Sequence, residues 1–159
     1  MSGKPEGATM SPMPRPQRSV TQAEHAGVYR CNADESREAI AAAHEQRFTT
    51  AAMELGSADK ATVLDAFASA LRFPDWFGAN WDGLADCLSD LSWLEAPGYL
   101  LVLRPAPDIA ARLGDEDFAT LVDVLRDAAD YWRDEGRPFC ALFEDSTSLM
   151  TESIPDAIQ

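Results

Sequence analysis

This 159-residue sequence is poor in the residues that most protein chemistry needs. Its two histidines, His25 and His44, have no Ser or Cys nucleophile pattern near them and read as surface residues, which leaves catalysis with little support. The three cysteines, Cys31, Cys87 and Cys140, are far apart, with no C-x-x-C pair and no histidine beside them. A disulfide framework and a zinc site are therefore not expected, and Cys87 and Cys140 read as small buried hydrophobes in a reducing compartment. There is no Gly-rich phosphate loop, no internal repeat and no apolar run of membrane-spanning length. The N-terminal stretch MSGKPEGATMSPMPRPQRS also lacks the apolar stretch of a secretion signal, so the expected location is the cytoplasm. No cofactor is expected.

Positive charge is scarce as well. Lys and Arg number 13 against 27 Asp and Glu, a formal net charge of −14. Residues 1 to 30 hold four Lys or Arg against two Glu, whereas residues 31 to 159 hold nine against 25 acids. Such a body repels nucleic acid and attracts basic proteins. Direct nucleic-acid binding is thereby disfavoured.

What is present suits one compact domain with tails: 46% of residues are hydrophobic and 25% charged. Residues 1 to 24 show no apolar periodicity and read as disordered. Val28 to Cys31 reads as a short strand, and the Ala- and Glu-rich stretch from Asp34 to Arg47 as a helix with an Asp or Ser cap. Thr49 to Leu55 is a second strand, and Asp59 caps a helix to Arg72 whose core face is Val63, Phe67, Ala70 and Leu71. Tyr99 to Leu103 is an apolar run that reads as a strand buried on both faces. A long helix starts at Asp115 with the stripe Phe118, Leu121, Val122, Leu125, Ala129 and Trp132, and ends at Gly136. Phe139 to Phe143 closes the order as a strand, and residues 145 to 159 read as a loose polar tail. Strands alternating with helices imply an α/β fold with a mainly parallel sheet and right-handed crossovers.

The richest segment is Phe73 to Leu94, FPDWFGANWDGLADCLSDLSWL. Pro74 and Gly78 mark a bend and Asn80 a helix N-cap, followed by a short amphipathic helix. Leu84, Cys87, Leu88 and Leu91 share one face, and Asp82, Asp86 and Asp90 fall within an arc of roughly 80° on about the opposite side. Like charges at i,i+4 cost a helix about 0.2 to 0.5 kcal/mol per pair, and a cationic partner removes that penalty. From the carboxylates alone, an ordinary solvated face ranks first. Trp76, Phe77 and Trp81 beside them shift the balance toward a contact surface.

The run Pro74, Trp76, Phe77, Gly78, Asn80, Asp82, Leu84, Asp86, Cys87 and Leu88 resembles the barstar family, intracellular inhibitors of the secreted guanyl-specific ribonuclease barnase. The likeness extends over about Phe48 to Glu144. It implies a barstar-like three-stranded sheet made of the three central strands 49 to 55, 99 to 103 and 139 to 143, with Val28 to Cys31 as an added edge. It also implies that the loop and the helix plug a nuclease active site. Carried over by position, Asp86 enters the phosphate pocket, Asp82 faces the enzyme's basic residues, and Trp76 packs on its catalytic histidine. Asn80 and Ser89 are supporting polar contacts. Trp81 and Asp90 complete the candidate set on their position beside these residues. The sequence departs from the type member, which has Tyr at position 76, Leu at 81, Trp at 85 and Thr at 89. The type member's further glutamate, on its last helix, has Asp123 as a candidate counterpart.

The implied organisation is a disordered segment 1–24, a strand-helix extension 25–47, a barstar-like domain 48–144 and a tail 145–159. Metal binding ranks low, because Asp82 and Asp86 on one helix face offer too few ligands. Glycoside hydrolysis needs two acids across a cleft, which one convex helix does not provide. The leading expectation is a stoichiometric inhibitor of a ribonuclease, with a barnase-like enzyme as partner. The alternative is an acidic interaction module of the same fold that binds a different basic protein.

Overall fold

The computed structural model describes residues 21–55, 59–105 and 113–144. Its strands are β1 (Gly27–Cys31), β2 (Thr49–Leu55), β3 (Tyr99–Pro105) and β4 (Phe139–Glu144). They form one sheet in the order β1-β4-β3-β2, and every pairing is parallel. The helices are α1 (Ala33–Glu45), α2 (Lys60–Leu71), α3 (Trp81–Leu88) and α4 (Asp115–Asp134). A 3-10 turn at Ala23–His25 leads into β1. Most of the disordered lead-in expected over 1–24, the glycine Gly56 after β2 and the expected tail 145–159 lie outside the described residues.

The sheet is buried on both faces, which is why β3 reads as an unbroken apolar run rather than an alternation. Leu101, Leu103, Phe139, Ala141 and Phe143 pack under α2, α3 and α4, against Val63, Phe67, Leu71, Leu84, Leu88, Leu121 and Leu125. Leu100, Val102, Cys140 and Leu142 pack on the other side with Tyr29, Cys31 and the α1 residues Ala39 and Ala43. Phe48 closes this second layer across Gly98, where an added Cβ would sit 2.6 Å from the ring. Cys31, Cys87 and Cys140 are all buried and none forms a disulfide.

The helix ends explain themselves locally. Asp59 caps α2 by accepting from the Thr62 N–H at 2.8 Å. Gly136, at φ 80°, ends α4 with the Arg137 N–H reaching back to the Trp132 carbonyl at 2.8 Å and its own N–H to Arg133. α1 is capped by Asn32, not by Asp34 or Ser36. The Asn32 side chain accepts from the Glu35 N–H, and the Glu35 carboxylate accepts from the Asn32 N–H, so two orphan donors are satisfied at once. Ser36 instead faces inward, donating to Glu144 at 2.6 Å, and Glu144 also accepts from Arg104 at 3.2 Å. Two further readings change. β2 lies at the outer edge of the sheet, opposite β1, so only β3 and β4 are interior. α3 stops at Leu88, so Asp90 sits in the turn beyond it.

Candidate protein-binding site

The site grows out of the bend between α2 and α3. Arg72 ends α2 in the left-handed region at φ 54°, and a ladder of aromatic rings follows. Phe77 meets Phe73 edge to face at 4.8 Å, Phe73 meets Trp93 at 6.1 Å, and Trp93 meets Trp76 at 6.2 Å. The Trp93 indole donates to the Leu71 carbonyl at 2.9 Å, which fastens the ladder to the end of α2. Trp76 stands at its outer end and is 57% exposed.

Ala79 is also left-handed, at φ 54°, a conformation that costs a residue with a Cβ roughly 1 to 2 kcal/mol. It delivers Asn80 to the start of α3, where the side-chain oxygen accepts from the Gly83 N–H at 2.6 Å. A Cβ on Gly83 would lie 3.3 Å from both the Gly78 nitrogen and the Phe77 ring, so the glycine lets the loop fold back onto the first turn. Asn80 therefore holds the loop and the helix to each other.

On α3, Leu84, Cys87 and Leu88 are buried while Asp82 and Asp86 face solvent. Neither aspartate, nor Asp90, has a Lys or Arg ion-pair partner among the described residues. The acidic face does act on its surroundings. Burial first, then the fields of Asp86 and Asp90, push the Cys87 thiol up to about 11. Ser89 is the half-buried C-cap. Leu91 turns left-handed at φ 46° and is buried, which extends the apolar face past the end of the helix.

Trp81 has a different setting from Trp76. It is partly buried, its indole donates to Asp117 on α4 at 3.2 Å, and the Lys60 ammonium lies 5.8 Å from its ring centre. It braces α3 against its neighbours. At the other end of α3 the Trp132 indole donates to the Leu88 carbonyl at 2.7 Å. The Trp81–Asp117 bond marks the flank of α4 that faces α3, and Arg133, bonded to the Ala26 carbonyl at 3.2 Å, marks the flank toward β1.

Asp123 is exposed on α4. At about 100° per residue, Asp127 lies roughly 40° nearer the α3 flank, and Asp117 nearer still. Asp117 and Asp127 were missed because nothing in the α4 sequence alone says which flank meets α3. The flank is marked by the long-range bonds from Trp81 to Asp117 and from Trp132 to Leu88, which no spacing within α4 reports. Among the described residues no group of three or more His, Cys, Asp or Glu is placed to hold a metal ion. The arrangement is a convex acidic ridge with an aromatic at its entry, suited to meeting a cationic surface.

The family model of Barstar (barnase inhibitor) matches residues 46–144. The chain belongs to the barstar family. The match covers β2 through β4 with the whole acidic ridge, and it leaves β1 and the whole of α1 outside the barstar region. No curated protein matches the sequence. Among solved structures, the Aeropyrum pernix ORC2 protein in its ADP form aligns with a TM-score of 0.50 and 20% identity, covering 88% of this chain and 42% of that one. The ADPNP–ADP complexes of the same protein give a TM-score of 0.49 and 17% identity, covering 84% of this chain and 38% of that one. The chain thus spans well under half of those structures, and the likeness is one of fold. No helix among the described residues is long and apolar enough to cross a membrane.

Proposed function

We propose that this chain is a stoichiometric inhibitor of a basic, barnase-like ribonuclease, acting in the cytoplasm without a cofactor and without catalysis of its own. The observation that carries this reading is Asp86 in the middle of α3, exposed and without an ion-pair partner among the described residues, inside a segment that matches the barstar family. Asp86 enters the enzyme's phosphate pocket and Asp82 faces its basic residues. Trp76, standing off the loop, packs on the catalytic ring. Asn80 and Ser89 hold the two ends of the ridge, Trp81 braces it, and Asp90 adds charge beyond its end. Asp127 on α4, not Asp123, is the carboxylate best placed to extend it.

The charge of −14 mimics the substrate's own sign, so association is electrostatically steered. The on-rate should fall steeply with rising salt while dissociation changes less, behaviour for which barnase and barstar are themselves the reference pair. The test is a titration of a guanyl-specific ribonuclease with the purified chain. Inhibition complete at one equivalent, with a salt-dependent on-rate, is the expected result. A nuclease left fully active in large excess of the chain overturns the reading in favour of an acidic module with another basic partner.

A further inference from the structure

Trp76 and Tyr131 are the two large apolar side chains that remain widely exposed among the described residues, at 57% and 42%. One stands on the loop that enters α3 and the other on α4, which packs against α3, and they are mounted in the same way. Trp76 leans edge to face on Trp93 at 6.2 Å and 86°, and Tyr131 leans edge to face on Trp132 at 5.1 Å and 86°. Each supporting tryptophan is pinned through its indole N–H to a backbone carbonyl, Trp93 to Leu71 at 2.9 Å and Trp132 to Leu88 at 2.7 Å. The first carbonyl ends α2 and the second ends α3. On α4, Tyr131 lies on the flank that carries Asp117, the flank bonded to α3 through Trp81.

An exposed tyrosine packs little of its own fold, yet this one is already held in place. A ring fixed before binding loses little entropy on contact, and tyrosine and tryptophan are enriched among interface hot spots. The exposed Asp82 and Asp86 of α3 thus have one such ring on the loop that enters the helix and another on the helix packed against it. We propose that Tyr131 is a second aromatic anchor for the basic protein partner. The contact face then runs from the Trp76 loop, over α3 and across the seam onto α4, and residues on α4 help to select the partner. The inference rests on the inhibitor reading above, and it adds an aromatic anchor to the helix on which that reading places only a carboxylate.

The experiment compares full-length Tyr131→Ala, Tyr131→Phe, Tyr131→Lys and Asp86→Ala with the parent against a basic guanyl-specific ribonuclease, with association and dissociation rates and thermal melts for each. Tyr131→Ala should weaken inhibition about tenfold or more, mainly through faster dissociation. Tyr131→Phe, which keeps the ring, should stay within about twofold, and Tyr131→Lys should bind worst because it sets a cation against a basic partner. All three should melt close to the parent; should Tyr131→Ala unfold early, the Phe and Lys pair carries the comparison. Tyr131→Ala and Tyr131→Lys both inhibiting like the parent, while Asp86→Ala has lost inhibition, would overturn the second anchor and leave the inhibitor reading standing. A parent that does not inhibit overturns both.

Discussion

The two faces of the sheet are covered in different ways. On one side α4 alone buries Leu121, Val122, Val124, Leu125 and Trp132, with α2 and α3 adding Phe67, Leu71, Leu84 and Leu88. On the other side α1 buries Ala39, Ala43 and Ser36. Large side chains hold the site-bearing helices off the sheet and give them a thick core. Small ones let α1 lie close and seal the opposite face as a thin lid. The thick layer can give up surface to carboxylates and aromatics because its stability comes from beneath them. The thin layer has little to give up.

Removing residues 21–47 is the most severe way to test that contrast. It takes away β1 and α1 and uncovers Leu100, Val102, Cys140 and Leu142, so the remaining 48–144 segment should lose its cooperative melt, even though it contains nearly all of the matched region. Deleting residues 1–20 alone should move Tm by less than about 2 °C. Equal melts for the two truncations would show α1 to be an appendage.

Within the thick layer, Leu88→Ala should cost about 2 to 5 kcal/mol of folding stability through a core cavity, while the folded fraction still binds. Asp86→Ala should leave stability level or slightly raised, since it relieves like-charge repulsion, and should cost about 2 to 5 kcal/mol of binding, a range whose reference case is barnase–barstar. An Asp86→Ala protein that unfolds early would mean that the ridge is structural.

A smaller effect probes the thin layer. Ser36 is the buried polar residue of the core, and Ser36→Ala removes its bond to the partly buried Glu144, for about 1.5 to 3 kcal/mol by denaturant titration. No change would show that the bond only fills space.

The last prediction reads both layers at once, because each contains a buried thiol. Burial holds Cys140 up at about 12, against about 11 for Cys87. Between the ordinary thiol value of 9.0 and these raised values, the unfolded chain ionises and the folded one does not, so stability falls as pH rises. The slope should be about 1.4 kcal/mol per pH unit for each thiol above pH 9, and Cys87→Ala or Cys140→Ala should each remove its share. A melt that is flat from pH 9 to pH 10.5 would contradict it.

Much of this architecture was legible in the residues. The unbroken run Leu100 to Leu103 announced a strand buried on both faces, and the Asn80 cap and the Leu84–Leu88 stripe placed α3 and its acidic side. The end of α3 was not legible, because Leu91 adopts a left-handed backbone that leucine does not favour and that packing imposes. The edge position of β2 was hidden too, since strand order is set by which helices cover which face. On α4, the flank that meets α3 is decided by Trp81 and Trp132, which reach across 36 and 44 residues of chain. No local pattern reports that.

The placement of β1 sets the order in which the molecule can form. Its strand partner among the described residues is β4, and Ser36 on the following helix waits for Glu144, 108 residues further along. During synthesis β1 and α1 emerge before the other strands and helices of the described fold, yet β1 has no described strand to pair with until β4 has emerged. Of the described strands, β1 is made before the others and pairs with the one made after them. Until β4 emerges, Tyr29 and Cys31 lack the strand that they pair with and Ser36 lacks Glu144, so this edge of the sheet stays open to misassembly longer than the β2–β3 pair does.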